Sequence, residues 1–382
     1  MNLSVNQTIK SIVSISPHSL SKVTKDQIEF QFKPNKGFSH RNHFNNYKYK
    51  SMEILDTVGI DMSKLTFDVR IHSTQAYAQF ENSNEGFKQL LNWAYKNSSF
   101  SRENIFFIFE HTGLYSHKIS VYLTEKKVAF ALVPGLEIKR SLGLARGKDD
   151  KVDATNIAKY AYRLRDEIEP YEMPSEQVQA LKRLLSLRDR LVRQRAGFKA
   201  SLKEQKRVLL KKENQILFTS QEKMINYLTK QIGTIEEEMM GIINSNEQLI
   251  EQFKSMTGIK GVGKQTALFM IAYTHGFTKF KNWRKFASYC GIAPFPRLSG
   301  TSVRGKTKVS NLANKKIKSL LDLCAKSSIQ HNLEMKTYYN KRVDEGKNKM
   351  STINIIRNKL LSRIFAVVKR KTHYVDLMKY AA

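Results

Sequence analysis

The chain has 382 residues, 41% of them hydrophobic, which is enough for two domains with cores of their own. Lys and Arg number 65 against 34 Asp and Glu, a formal net charge of +31 that favours a polyanionic partner through counterion release. Two cysteines, Cys290 and Cys324, exclude a disulfide framework, and no Cys/His cluster has zinc spacing. The longest apolar runs, 105–109 and 128–133, are too short to span a bilayer, so no membrane partner is expected. Nor does the N-terminus show a charged start followed by an apolar stretch, as a secretory leader would. Charge alone would also suit a merely adhesive basic protein.

Residues 1–51 hold eight Lys/Arg, two Asp/Glu and no sustained periodicity, and read as a basic, disordered extension. Met52, directly before the first strand, is a natural alternative start. From 53 the pattern changes. Glu53 to Asp61 reads as a strand ending in Gly59-Ile60-Asp61. Phe67, Val69 and Ile71 alternate with polar residues, as do Ala76, Ala78 and Phe80, which predicts a hairpin turning at Ser73 and Thr74. Asn84 is placed to cap a helix running to Lys96. Asn104 to Glu110 is an apolar strand, Tyr115 to Lys126 a helix, and Val128 to Val133 a strand stopped by Pro134 and Gly135. Asp150 to Arg165 carries Ile157, Ala158 and Ala161 at helical spacing. This order describes an α/β domain over 52–168 with a mixed sheet.

The stretch 175–255 has no Pro, and its leucines recur at helical intervals. It predicts two long helices, an antiparallel hairpin or coiled coil, broken near Asn214 to Ser220, as a connector over 169–255. The first helix is heavily basic, and Arg188 and Arg193 are candidates for phosphate contact. The last unit, 256–382, reads as helical and basic, with 18 Lys/Arg against four Asp/Glu between 299 and 371. It opens with Thr257-Gly258-Ile259-Lys260-Gly261-Val262-Gly263 before Lys264, similar to a helix-hairpin-helix turn whose backbone N–H groups meet a phosphate. A tight turn before a core helix fits the same residues equally well.

Four acids stand where a metal site would want them. Asp61 ends the first strand and Glu110 the fourth, while Asp150 and Asp153 lie three apart at a helix start and share a face. Carboxylates so gathered repel unless a cation sits among them, and Mg²⁺ takes oxygen ligands while leaving positions for phosphate oxygens. Taken singly, each has an ordinary role: a turn cap, a lysine partner, a helix-start acid favoured by the dipole. Asp149 rivals Asp150 as the ligand.

At these residues the chain resembles a known family. Gly59-Ile60-Asp61-Met62-Ser63-Lys64, Phe109-Glu110-His111-Thr112-Gly113-Leu114-Tyr115 and Lys148-Asp149-Asp150-Lys151-Val152-Asp153-Ala154 look like the three segments of the DEDD transposases. These are insertion-sequence enzymes of the "IS one-ten" group, related to the pilin-gene invertase. Gly291 to Gly300, with the basic run to Asn314, looks like their C-terminal transposase segment. Two departures stand out: Ala313 where a Gly is usual, and Lys315, Lys316 and Lys318 where the family is arginine-rich. The resemblance implies a RuvC-like, RNase H-type N-terminal domain, a coiled-coil connector and a mainly α C-terminal domain.

It further implies that Asp61, Glu110, Asp150 and Asp153 hold Mg²⁺, with Mn²⁺ able to substitute. Ser299 would then be a nucleophile forming a phosphoserine with DNA. Its partners would be element ends and target DNA, a structured guide RNA in some members, and further copies of the chain as dimer or tetramer. The setting would be a bacterial or archaeal cytoplasm, at the nucleoid. Residues alone favour Ser299 as a turn serine in a loop over a nucleophile, and Thr301 and Ser302 are its rivals for that role. Lys148, Lys260, Lys264, Arg297, Arg304 and Lys306 complete the candidate nucleic-acid contacts. The competing expectation is a structure-selective nuclease that hydrolyses DNA from the acidic domain alone and leaves no covalent adduct.

Overall fold

Apolar alternation lays down the first sheet. β1 (Asp56–Met62), β2 (Thr66–Ile71) and β3 (Tyr77–Glu81) are followed by α1 (Asn84–Asn97), β4 (Ile105–Glu110), α2 (His117–Glu125), β5 (Phe130–Val133), α3 (Gly135–Ser141) and α4 (Asp150–Arg163). The computed structural model describes residues 53–141, 150–299 and 303–375, so the extension 1–51 lies outside the described residues. The chain divides into two units, at Tyr171/Glu172.

In the first unit the strand order is β3-β2-β1-β4-β5. β1 pairs antiparallel with β2 and parallel with β4; β2 with β3 is antiparallel and β4 with β5 parallel. One sheet face carries Val58, Ile60, Phe107 and Phe109 into a core with Phe87 and Leu90 of α1 and Ile119 and Leu123 of α2. The other carries Phe106, Ile108, Ala131 and Val133 against Ile138 of α3 and Ile157 and Ala161 of α4. β4 is covered on both faces, which is why Ile105 to Phe109 is one unbroken apolar run. Beneath the sheet's amino end, the buried Asp56 carboxylate accepts hydrogen bonds from Ser73 Oγ (2.6 Å), Ser98 Oγ (2.6 Å), and the amides of Ser73 and Thr57. The α1 cap is Ser83 rather than Asn84, because the Ser83 side chain accepts from the Gly86 amide.

The second unit begins with α5 (Glu176–Val208) and α6 (Gln215–Asn244). They run antiparallel: Arg188 Nε meets Glu236 Oε1 at 2.5 Å, Arg195 Nη1 meets Thr229 Oγ1 at 3.2 Å and Lys206 Nζ meets Glu222 Oε1 at 2.6 Å. The break falls over 209–214, so Thr219 and Ser220 are helical and Leu210 is exposed. The inner face of this pair, including Leu181, Leu185, Met239 and Ile243, shares one core with α7 (Glu247–Thr257), α8 (Lys264–Thr274), α9 (Trp283–Tyr289), α10 (Lys315–His331), α11 (Leu333–Asp344) and α12 (Lys349–Arg370). Residues 267–272 of α8 are all buried, as befits a helix apolar all round.

The C-terminal part is mainly helical, as expected, but one strand pair within it was not anticipated. β6 (Pro294–Ser299) and β7 (Val303–Val309) form an antiparallel hairpin within it. The physical reason is local. Pro294 and Pro296 cannot continue a helical ladder, Gly291 adopts φ +65°, and the register shifts between Phe295 and Arg297 beside Pro296.

Candidate active site

β1 carries the first of the candidate acids, Asp61. Gly59 faces α4 so closely that an added Cβ would lie 2.3 Å from the Ala158 amide nitrogen and 2.4 Å from the Ala154 carbonyl. Thr57 Oγ1 donates to the Ala158 carbonyl at 2.9 Å. α4 therefore lies backbone-to-backbone on β1, and its amino end runs toward the strand's carboxyl end. Asp61 is two positions beyond Gly59, on the same face and at that end. Asp153 immediately precedes Ala154, and Asp150 opens the helix one turn earlier.

Glu110 comes to the same edge from β4. Ile60 pairs with Phe109, so the next parallel positions are Asp61 and Glu110. Ile108, two residues before Glu110, packs in the α3/α4 core, which puts Glu110 on the α4 side as well. Its carboxylate lies where a Cβ on Gly135 would be, 2.0 Å from that position at Oε1. Glycine at 135 is thus what leaves room for the Glu110 carboxylate. Carboxyl ends of adjacent parallel strands are the usual place for a ligand site in an α/β sheet.

The sheet register adds an acid that sequence reading missed. Asp68 of β2 pairs directly with Asp61. It is only 5% exposed, and it accepts hydrogen bonds from Tyr77 Oη and Gln79 Nε2 of β3. Lys151 of α4 places its Nζ 4.8 Å from the Tyr77 ring centroid. The alternation Phe67, Val69, Ile71 reads Asp68 as a solvent-face residue. Only the presence of α4 on that face reverses the reading.

Among the described residues no three His, Cys, Asp or Glu side chains stand close enough together to hold a metal ion. The side chain of Asp150 lies outside the described residues, as do Lys148 and Asp149. The donors themselves are all carboxylate oxygens, the type that hard divalent cations prefer, and glycine at 135 leaves the space that the Glu110 carboxylate occupies. In donor chemistry the residues fit such an ion.

In the second unit, Ser299 is the last residue of β6 and pairs with Val303 across the hairpin mouth; Arg297 pairs with Gly305 and Leu298 with Arg304. The side chains of Arg297, Ser299 and Arg304, and residues 300–302 with them, lie outside the described residues. Lys306 is exposed on β7. Lys260 and Lys264 are exposed on either side of the glycine turn. Within that turn Gly261 has φ +98°, and a Cβ there would lie 2.0 Å from Ser328 Oγ of α10, so this glycine serves packing. Gly263, the cap of α8, has open space around it. Arg188 is engaged with Glu236, to which Gln265 Nε2 also donates at 3.1 Å. Arg193 is exposed, its Nε 3.3 Å from the Asp189 carbonyl.

A DEDD transposase model of the IS110 type matches residues 58–211, and a second model, the transposase IS116/IS110/IS902 family, matches 254–340. The chain belongs to the IS110 transposase family. As an enzyme of this transposase and recombinase class it acts on DNA. The first matched segment contains all four predicted acids and the second contains Ser299. The chain is 26% identical to the pilin gene-inverting protein of Moraxella bovis over 321 residues, 82% of this chain and 95% of that one. The protein of the same name from Moraxella lacunata matches with equal identity and coverage. A stretch of 123 residues is 28% identical to the insertion element IS110 uncharacterized 43.6 kDa protein of Streptomyces coelicolor, 32% of this chain and 30% of that protein. DEDD transposases typically use a divalent metal. No helix of this IS110-family transposase, among the described residues, is long and apolar enough to cross a membrane.

Proposed function

We propose that this transposase cleaves and rejoins DNA at the ends of a mobile or invertible segment, through a covalent phosphoserine at Ser299. Asp61, Glu110, Asp150 and Asp153 would hold Mg²⁺, or Mn²⁺ in its place, within a RuvC-like domain. A bound divalent ion supplies charge neutralisation at the scissile phosphate and eases deprotonation of the attacking hydroxyl. Ser299 Oγ attacks phosphorus, its proton is lost, and the P–O bond to the departing DNA hydroxyl breaks. A second DNA hydroxyl then attacks the phosphoserine, restores a phosphodiester and frees the serine. No net hydrolysis occurs, and the bond energy is kept for rejoining.

The observation that carries this reading is the pairing of Ile60 with Phe109, which leaves Asp61 and Glu110 at the next positions of adjacent parallel strands, with the amino end of α4 running to the same edge over Gly59. Lys260, Lys264, Arg297, Arg304 and Lys306 would hold phosphates, and Arg193 would extend that contact along α5. α5 and α6 serve as a coiled-coil connector in an assembly of two or four copies. A structured RNA encoded with the element would direct target choice, which sequencing of RNA that copurifies from the native host would identify as one discrete species.

The test is a denaturing gel of protein with end-labelled element DNA. Wild type forms a protein–DNA adduct in Mg²⁺, and both Ser299→Ala and Asp61→Asn abolish it. An adduct from Ser299→Ala would sink the serine assignment. Undiminished cleavage by Ser299→Ala with no adduct from any variant would move the reaction to hydrolysis.

A further inference from the structure

Asp68 takes no part in the four-acid pattern, yet its surroundings tie it to that pattern from two sides. Directly opposed residues on antiparallel strands have Cβ atoms about 5 Å apart, and like charges there repel. Asp61 and Asp68 are such a pair. A buried carboxylate persists where it is hydrogen-bonded, and Tyr77 Oη and Gln79 Nε2 supply the donors to Asp68. Tyr77 in turn presents its ring to Lys151, the residue between Asp150 and Asp153. The chain of contacts thus runs from the strand opposite Asp61, through β3, to the first turn of the acid-bearing helix.

We infer that Asp68 is a positioning residue of the acidic site. Its carboxylate adds negative potential beside Asp61, and through Tyr77 and Lys151 it fixes the first turn of α4. This inference rests on the metal-binding reading of Asp61, Glu110, Asp150 and Asp153. Asp68 is a carboxylate in its own right, not a spare copy of Asp61: its hydrogen bonds run to β3, away from the proposed ligands. Residues that orient ligands from behind typically change metal affinity by about 10- to 100-fold when altered.

The experiment is direct binding of Mn²⁺ to the full chain without DNA, followed by the loss of the free-ion EPR signal, alongside thermal unfolding by circular dichroism. Asp61→Asn should abolish binding. Asp68→Asn should weaken it about 10- to 100-fold, and Asp68→Glu should recover part of the loss. Tyr77→Phe keeps the ring beside Lys151 and removes only the hydroxyl; it should weaken binding several-fold with the unfolding midpoint little changed. If Asp68→Asn does not fold, Tyr77→Phe decides the matter. Wild-type Mn²⁺ affinity in Asp68→Asn or, failing that, in Tyr77→Phe overturns the role of Asp68 while leaving the metal site standing. Unchanged affinity in Asp61→Asn would instead remove the metal reading on which this one rests.

Discussion

The two units divide the chemistry of the molecule by charge. Residues 53–171 hold 16 Lys/Arg and 16 Asp/Glu, and so are neutral, whereas residues 172–382 hold 41 Lys/Arg and 16 Asp/Glu. The first unit invests its acids in one edge of a sheet, at Asp61, Asp68 and Glu110. The second spreads its cations over helices, some of them paired with acids, such as Arg188 with Glu236 and Arg357 with Asp322. A neutral domain can gather carboxylates around a cation without being repelled from DNA. On the proposed function, attraction to the polyanion would fall to the basic unit.

The sharpest way to break this division is to displace α4. Gly59→Ala puts a methyl group into the backbone of Ala154 and Ala158, so the helix must move away from β1. Overpacking of this kind costs about 1–3 kcal/mol. DNA cleavage should fall far more than DNA binding, since the basic unit is untouched. Equal loss of both would mean that the acids also serve as docking groups.

Next in size is the salt dependence of DNA binding. In Lys260→Ala/Lys264→Ala the slope of log affinity against log salt should become shallower by about 0.9 per lost phosphate contact. Lys88→Ala, on an exposed face of α1 in the neutral unit, should leave it unchanged. A slope that responds to Lys88 instead would erase the distinction between the units.

Arg188 sharpens the comparison from within the basic unit. Its ion pair with Glu236 is partly exposed, so Arg188→Ala should cost only about 1 kcal/mol of stability. DNA affinity should stay near wild type, unlike the lysine pair above.

The smallest effect is one of pH. His275 adopts φ +52° at the end of α8, and burial, with Lys279 and Lys182 nearby, lowers its pKa from 6.5 to about 4. Unfolded chains protonate this residue at a higher pH than the folded one does. Its contribution is therefore fully present above pH 6.5 and is lost as pH falls toward 4. His275→Asn, which tolerates the same left-handed backbone, should flatten that decline in thermal midpoint between pH 7 and 4.5. An equally steep decline in the variant would assign it to other groups.

Periodicity carried most of the first unit, because its strands alternate cleanly and β4 is apolar throughout. The strand stops at Pro134 and Gly135 as expected, but periodicity gave no sign of the short helix α3 that follows. It failed again at the β6–β7 hairpin, where basic residues hide strands whose pairing is made by the backbone. Asp61, Glu110 and Asp153 were legible because each ends a strand or begins a helix. Asp68 was not, since its neighbours' alternation points it to solvent.

From the sequence alone came the charge balance, the order of strands and helices, and the four acids with Ser299 as residues of interest. Those are local properties: side-chain type, spacing and period. Tertiary structure decided that Gly59 carries the backbone of α4, that Gly261 packs on α10, and that Asp61 stands opposite Asp68 on a strand parallel to that of Glu110. Each of these depends on which strands pair and in what register. Pairing register is set by contacts between residues far apart in the chain, and no local pattern encodes it.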